Sequence, residues 1–139
     1  MTGIAVVPPQ RLGLGLTILR IVIGIVFIVH GAQKLFVFGI GGVTTGFAQM
    51  HIPLPMVAAP VVAIVEFVGG IALVVGFFTR IAAILLAIDM AGAILFVHGR
   101  NGFFMPMGYE FALSLMAACV ALAVAGPGDY SVDNRGRRV

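Results

Sequence analysis

The sequence predicts an all-α integral membrane protein, a four-helix bundle, and three observations support this prediction. Of the 139 residues, 61% are hydrophobic and only 9% are charged, whereas a soluble domain has about 25% charged residues. The apolar residues form runs of about 20, which is the length of helix that crosses a bilayer. Gly- and Pro-rich stretches separate these runs. We therefore expect one membrane domain over residues 1–139, with the lipid bilayer as its partner.

Four helices are expected, at approximately residues 12–36, 57–78, 80–98 and 109–126. Arg20 interrupts the first apolar run, which favours a retained span over a cleaved signal peptide. The glycines and prolines after this run predict an irregular connection, in which Thr44 or Thr45 caps a short interfacial helix. Only Thr79 and Arg80 separate the second and third helices, so these two are expected to be antiparallel neighbours.

The basic residues predict the topology. Four spans place both termini on one side, and the positive-inside rule favours the cytoplasm for that side. Five basic residues then lie inside, namely Arg11, Arg80, Arg135, Arg137 and Arg138. Two lie outside, Lys34 and Arg100. The expected location is the inner (cell) membrane. A net charge of +3 that is distributed in this way indicates topology and not a nucleic-acid surface.

A faint internal repeat favours two tandem helical hairpins. The first helix ends in His30-Gly31 and the third in His98-Gly99. The second and fourth helices each contain a Glu-Phe pair, at Glu66 and Glu110. Parallel repeats of this kind occur in membrane proteins, although a repeat this short also arises by chance.

Three charged residues lie about ten residues into their helices, which places them near mid-depth at a rise of about 1.5 Å per residue. They are Arg20, Glu66 and Asp89, and we expect them to lie within reach of one another. Small residues accompany each charge, as on helix-packing faces in membranes. Beside Arg20 they are Gly13, Gly24 and Gly31; beside Glu66 they are Ala63, Gly69 and Gly70. Beside Asp89 they are Gly92 and Ala93, and a fourth face carries Ser114, Ala117 and Ala121 beside Glu110.

The charge count leaves two interpretations open. One cation faces two carboxylates, so either one carboxyl group is protonated or another donor reaches in. The group is then either a structural ion pair or a site for a ligand or a proton.

A second polar group is expected toward the outer end and contains His30, Lys34, His98, Arg100 and Glu110. It is either a pocket for a headgroup or a quinone carbonyl, or a set of snorkelling side chains. We expect Lys34 and Arg100 to snorkel and Glu110 to point inward. Haem ligation by His30 and His98 is disfavoured because His98 lies opposite Asp89 around its helix. No metal site is predicted, because the histidines and carboxylates lack a close ligand spacing.

Motifs in order along nearly the whole chain resemble the DoxX family. They are Leu19-Arg20, His30-Gly31, Lys34-Leu35-Phe36, Val65-Glu66-Phe67-Val68-Gly69-Gly70, Thr79-Arg80, Tyr109-Glu110-Phe111 and Gly126-Pro127-Gly128. The resemblance implies a four-helix membrane fold. It also implies a redox link, since members are labelled oxidoreductases and the family is named for a subunit of a thiosulfate:quinone oxidoreductase. A mycobacterial member is described as the membrane anchor of a sulfurtransferase and a superoxide dismutase.

Three functions are consistent with these observations. The first is a membrane subunit of a quinone-linked oxidoreductase, with site candidates Arg20, Glu66, Asp89, His30 and Glu110. The second is a non-enzymatic scaffold that recruits soluble redox enzymes. The third is a small lipid or proton-coupled carrier, for which a homo-oligomer would supply enough helices. The sequence shows no redox cofactor site, and a quinone is the one candidate cofactor. Whether the protein is itself an enzyme therefore stays open.

Overall fold

The computed structural model describes residues 8–135, whose regular elements are all helices and which contain no strand. The α-helices are α1 (Pro9–Ala32), α2 (Gly39–Gln49), α3 (Pro55–Val75), α4 (Thr79–Gly92), α5 (Glu110–Ala125) and α6 (Val132–Arg135). A π-helical segment, Gln33–Phe38, follows α1, and another, Ala93–His98, follows α4 and leads into a 3-10 turn, Gly99–Asn101. The predicted all-helical membrane bundle is confirmed.

Three helical segments are long and apolar enough to cross a membrane: Pro9–Gln49, Pro55–Val75 and Thr79–Asn101. The fourth predicted span, α5, is apolar but has only 16 residues. Its outward face and those of the other helices carry exposed apolar side chains, as in helices that contact lipid.

The helices form two antiparallel hairpins, in which α1 packs mainly against α3, and α4 against α5. One end of the bundle holds the start of α1, the α3–α4 turn and the end of α5, and we call it the termini end. The two long connections lie at the other end, the loop end. The Glu-Phe pairs of the proposed repeat are not equivalent in the structure, because Glu66 lies in the middle of α3 whereas Glu110 is the first residue of α5.

Glycines bring α1 and α3 into backbone contact. A Cβ atom at Gly24 would lie 2.8 Å from the carbonyl oxygen of Gly70, and one at Gly70 would lie 2.7 Å from the carbonyl oxygen of Gly24. A Cβ at Gly31 would overlap the backbone of Phe67. The predicted packing faces of the first and second spans are thus confirmed.

The connection between α1 and α3 is more regular than predicted. Among its glycines only Gly39 has a non-helical conformation, with φ of 69° and ψ of 157°, and the following glycines lie inside α2. Thr44 and Thr45 do not cap a helix. Their hydroxyls donate to carbonyl oxygens one turn earlier, at 2.7 and 3.0 Å, which satisfies them within the helix. A glycine in a helix costs only about 1 kcal/mol of stability relative to alanine. The glycines of α2 therefore do not interrupt the helix, contrary to the prediction.

The C-terminal segment, Gly126–Arg135, is part of the bundle and not a free tail. Its Asp133 carboxylate accepts hydrogen bonds from the amides of Phe78 and Thr79, at 2.8 and 2.9 Å, and so caps the start of α4. The Asp133 amide donates to the carbonyl of Gly76 at 2.9 Å. The segment therefore covers the termini end and joins α5 to the α3–α4 turn.

We expect Gly31→Ala to lower the free energy of unfolding by about 1–3 kcal/mol, because the new methyl group must displace the Phe67 backbone. The control is Gly15→Ala on the same helix, where no atom lies within 4 Å of the added Cβ. That substitution should be neutral, or stabilising by up to about 1 kcal/mol. Equilibrium unfolding in detergent micelles measures both, and equal losses in the two variants would contradict the proposed contact.

Candidate functional site

An ion pair between α3 and the first π-helical segment lies at the centre of the candidate site. The Nζ atom of Lys34 donates to Oε2 of Glu66 at 2.5 Å. The Glu66 side chain is 5% exposed and that of Lys34 20%. The expectation that Lys34 snorkels outward is wrong. A buried carboxylate in a membrane is costly without a cation, and Lys34 is within reach because α1 and α3 pack closely.

Asp89 of α4 joins this pair. Its carboxyl group lies near those of Glu66 and Lys34, and Cys119 is close to it. Its Oδ2 atom is buried and has no hydrogen-bond partner among residues 8–135. We call Lys34, Glu66 and Asp89 the carboxyl cluster. The structure thus brings Glu66 and Asp89 together, as predicted, and the donor that reaches in is Lys34.

The cluster has a definite chemical property. Two carboxyl groups face one ammonium group, and an ionised carboxylate can only accept hydrogen bonds. Glu66 and Asp89 can therefore bond to each other only when one of them carries a proton. A single proton, or a ligand with a donor group, would satisfy the arrangement. The arrangement is compatible both with a structural ion pair and with a proton-exchange or ligand site.

Arg20 lies elsewhere, and its predicted place beside the carboxylates is wrong. Arg20 is 1% exposed, and its guanidinium donates to main-chain carbonyls, with distances of 2.9 Å to Pro127, 2.8 Å to Val74 and 2.6 Å to Tyr130. A fourth bond goes to the carbonyl of Leu73. Leu73 is seven residues beyond Glu66 on α3, which is about two turns or roughly 10 Å along the helix. Arg20 thus clamps the end of α3 to the C-terminal segment.

Glu110 also departs from its predicted position. Its Oε1 atom accepts a hydrogen bond from the Met105 amide at 2.7 Å, so it holds the loop before α5 and does not point into the bundle. The small residues predicted to share its packing face are exposed. The buried face of α5 contains Ala112, Leu115, Cys119 and Leu122. Small residues occur on both the buried and the exposed face of this helix, so small size alone does not identify its packing face.

The two histidines lie at the loop end in separate local arrangements. His30 is exposed, its Nδ1 lies 2.9 Å from the Val26 carbonyl oxygen, and its ring centroid is 6.1 Å from that of Phe111. His98 Nδ1 lies 3.0 Å from the carbonyl oxygen of Met107. Within residues 8–135, no group of three His, Cys, Asp or Glu side chains is arranged to hold a metal ion.

The sequence of the chain is similar to those of known proteins. The DoxX family matches residues 15–99 of the chain. The chain belongs to the DoxX family. The matched region contains Arg20 and all three residues of the carboxyl cluster, whereas Glu110 and the C-terminal segment lie outside it.

Curated relatives of this DoxX protein align over most of their length. An uncharacterized protein of Haemophilus influenzae is 36% identical over 124 residues, which cover 86% of this chain and 89% of the relative. The Bacillus subtilis protein named "Putative oxidoreductase CatD" is 35% identical, with 86% and 85% covered. The Escherichia coli inner membrane protein YphA is 31% identical, with 86% and 89% covered. No solved structure matches significantly.

Two residues of this architecture were missed by sequence reasoning. The sequence could have identified Lys34 as a partner of the carboxylates. Their excess over Arg20 requires a further donor, and Lys34 follows His30 of the second polar group by one helical turn. Asp133 had none, since its capping role depends on the C-terminal segment returning to the α3–α4 turn.

We expect Arg20→Gln to reduce the free energy of unfolding by about 3–5 kcal/mol, because it removes a buried guanidinium that donates to main-chain carbonyls of α3 and of the C-terminal segment. The C-terminal segment should also become a substrate for limited proteolysis in detergent. Arg11→Gln is the control, since Arg11 is an exposed arginine at the same end. A stable Arg20→Gln protein with a protected C-terminal segment would refute the clamp.

Proposed function

We propose that this DoxX-family protein is a membrane subunit of a quinone-linked oxidoreductase and that the carboxyl cluster exchanges the protons of quinone chemistry. One observation carries the proposal. Lys34 pairs with Glu66 inside the membrane domain, a second carboxyl group, that of Asp89, lies near this pair, and a buried oxygen of Asp89 has no partner among the described residues. An unsatisfied acceptor of this kind is costly unless a ligand or a proton occupies it.

The proposed reaction is the reduction of a quinone to a quinol, which takes up two electrons from a soluble redox enzyme and two protons. Glu66 and Asp89 would hold an exchangeable proton between them, pass it to a quinone oxygen and be reprotonated from water before the second transfer. Lys34 keeps the remaining negative charge compensated throughout, and its partly exposed ammonium group can also donate to a carbonyl oxygen. In this proposal Arg20 and Glu110 have structural roles only.

The comparisons support the redox and membrane parts of the proposal. One relative bears an oxidoreductase name and another is named an inner membrane protein. We also propose the inner membrane, with both termini in the cytoplasm, for this chain. The observation in favour is that Arg11, Arg80 and Arg135 lie at the termini end, while Lys34 and Arg100 belong to the opposite half.

The test is mass spectrometry on organic extracts of the gently purified protein. We expect a quinone at near one equivalent in the wild type, and about tenfold less in Glu66→Gln and Asp89→Asn, because each change removes a charged or proton-bearing partner. Glu110→Gln is the matched control, since it alters a carboxyl group outside the cluster in the same way. It should retain the quinone.

Folding must be measured in parallel to keep the result interpretable. The unfolding midpoints of the cluster variants should show that the bundle persists, so that loss of quinone reports on the site. If all four proteins yield only bulk lipid, or if quinone survives in both cluster variants, the proposal fails. The carboxyl cluster would then be a structural ion-pair network.

A further inference from the structure

A groove at the termini end of the bundle is separate from the carboxyl cluster. Its volume is about 690 Å³, and it lies between the start of α1, the end of α3 and the C-terminal segment. Arg11, Leu14, Val75, Tyr130 and Arg135 line it. We call it the headgroup groove.

The groove lies at the depth of lipid headgroups. Arg11 is in the first turn of α1 and Val75 is the last residue of α3, so the groove is located where two spanning helices leave the hydrocarbon region. Tyr130 is 71% exposed beside it, and tyrosine side chains are enriched at this level of a membrane.

The polar wall of the groove is suited to an anion. Arg11 and Arg135 are exposed, and neither forms an ion pair within residues 8–135. Gln10 and Asn134 add amide groups, and Asp129 is the one carboxylate of the lining. Arg137 and Arg138 follow Arg135 in the sequence. Arginine side chains bind phosphate oxygens with paired hydrogen bonds, and basic residues near the membrane surface attract anionic lipids.

The opposite wall is apolar. Leu14 and Val75 are 48% and 49% exposed, on the helix surfaces that face lipid. A ligand that fills both walls therefore has a negatively charged head and a hydrocarbon tail. We infer that the headgroup groove binds an anionic phospholipid, with its phosphate diester at Arg11 and Arg135 and an acyl chain along Leu14 and Val75.

Native mass spectrometry of the full chain in detergent tests this inference by titration with phosphatidylglycerol and phosphatidylcholine. Phosphatidylglycerol should bind more tightly, and the double variant Arg11→Gln/Arg135→Gln should weaken its binding by about 30-fold, from roughly fivefold for each arginine. Arg80→Gln/Arg100→Gln removes the same charge from residues outside the groove and should change the affinity less than about twofold.

Several results would overturn the inference. Equal affinity for the two lipids would show that charge is not recognised, and equal losses in the two double variants would reduce the effect to net charge. Displacement of phosphatidylglycerol by inorganic phosphate at similar concentrations would mean that the groove takes a free anion and not a lipid. Because the cluster residues are unchanged in these variants, the outcome is independent of quinone content.

Discussion

The backbone contact between α1 and α3 is the constraint on which the remaining structure depends. Gly24 and Gly70 face each other with no space for a side chain, and Gly31 meets the Phe67 backbone. Lipid supplies no hydrophobic force between helices, so close packing of this kind provides much of their attraction. The same contact sets the register of the two helices. It places Lys34 opposite Glu66 and Arg20 opposite the end of α3.

The two charged centres of the membrane domain are satisfied in different ways. Arg20 donates to main-chain carbonyls from two parts of the chain, α3 and the C-terminal segment, so it has little capacity for chemistry. The carboxyl cluster combines one lysine with two carboxyl groups and leaves one buried oxygen of Asp89 without a described partner. Two carboxyl groups beside one lysine can differ in their protonation, whereas the hydrogen-bonded guanidinium of Arg20 stabilises the fold.

The parts of the fold and site that sequence reasoning predicted correctly follow from local pattern. Long apolar runs indicated the helices, and small residues beside Arg20 and Glu66 indicated their buried faces. The same reasoning failed for α5, because Ser114, Ala117 and Ala121 are exposed, while another face of the helix, with Ala112, Leu115, Cys119 and Leu122, is buried. It also failed for Glu110, whose partner is a nearby loop amide. Small size marks a packing face only when a second helix approaches it.

The sequence alone determined that this is a helical membrane protein of the DoxX family with charged residues inside its spans, because composition and motif order are properties of the chain itself. Only the tertiary structure decided which charges meet. The relative rotation and register of α1, α3 and α4 bring Lys34, Glu66 and Asp89 together and separate Arg20 from them. The C-terminal segment joins the bundle for the same reason, since Asp133 caps a helix that starts 54 residues earlier. Contacts between residues so far apart depend on packing, which no local pattern encodes.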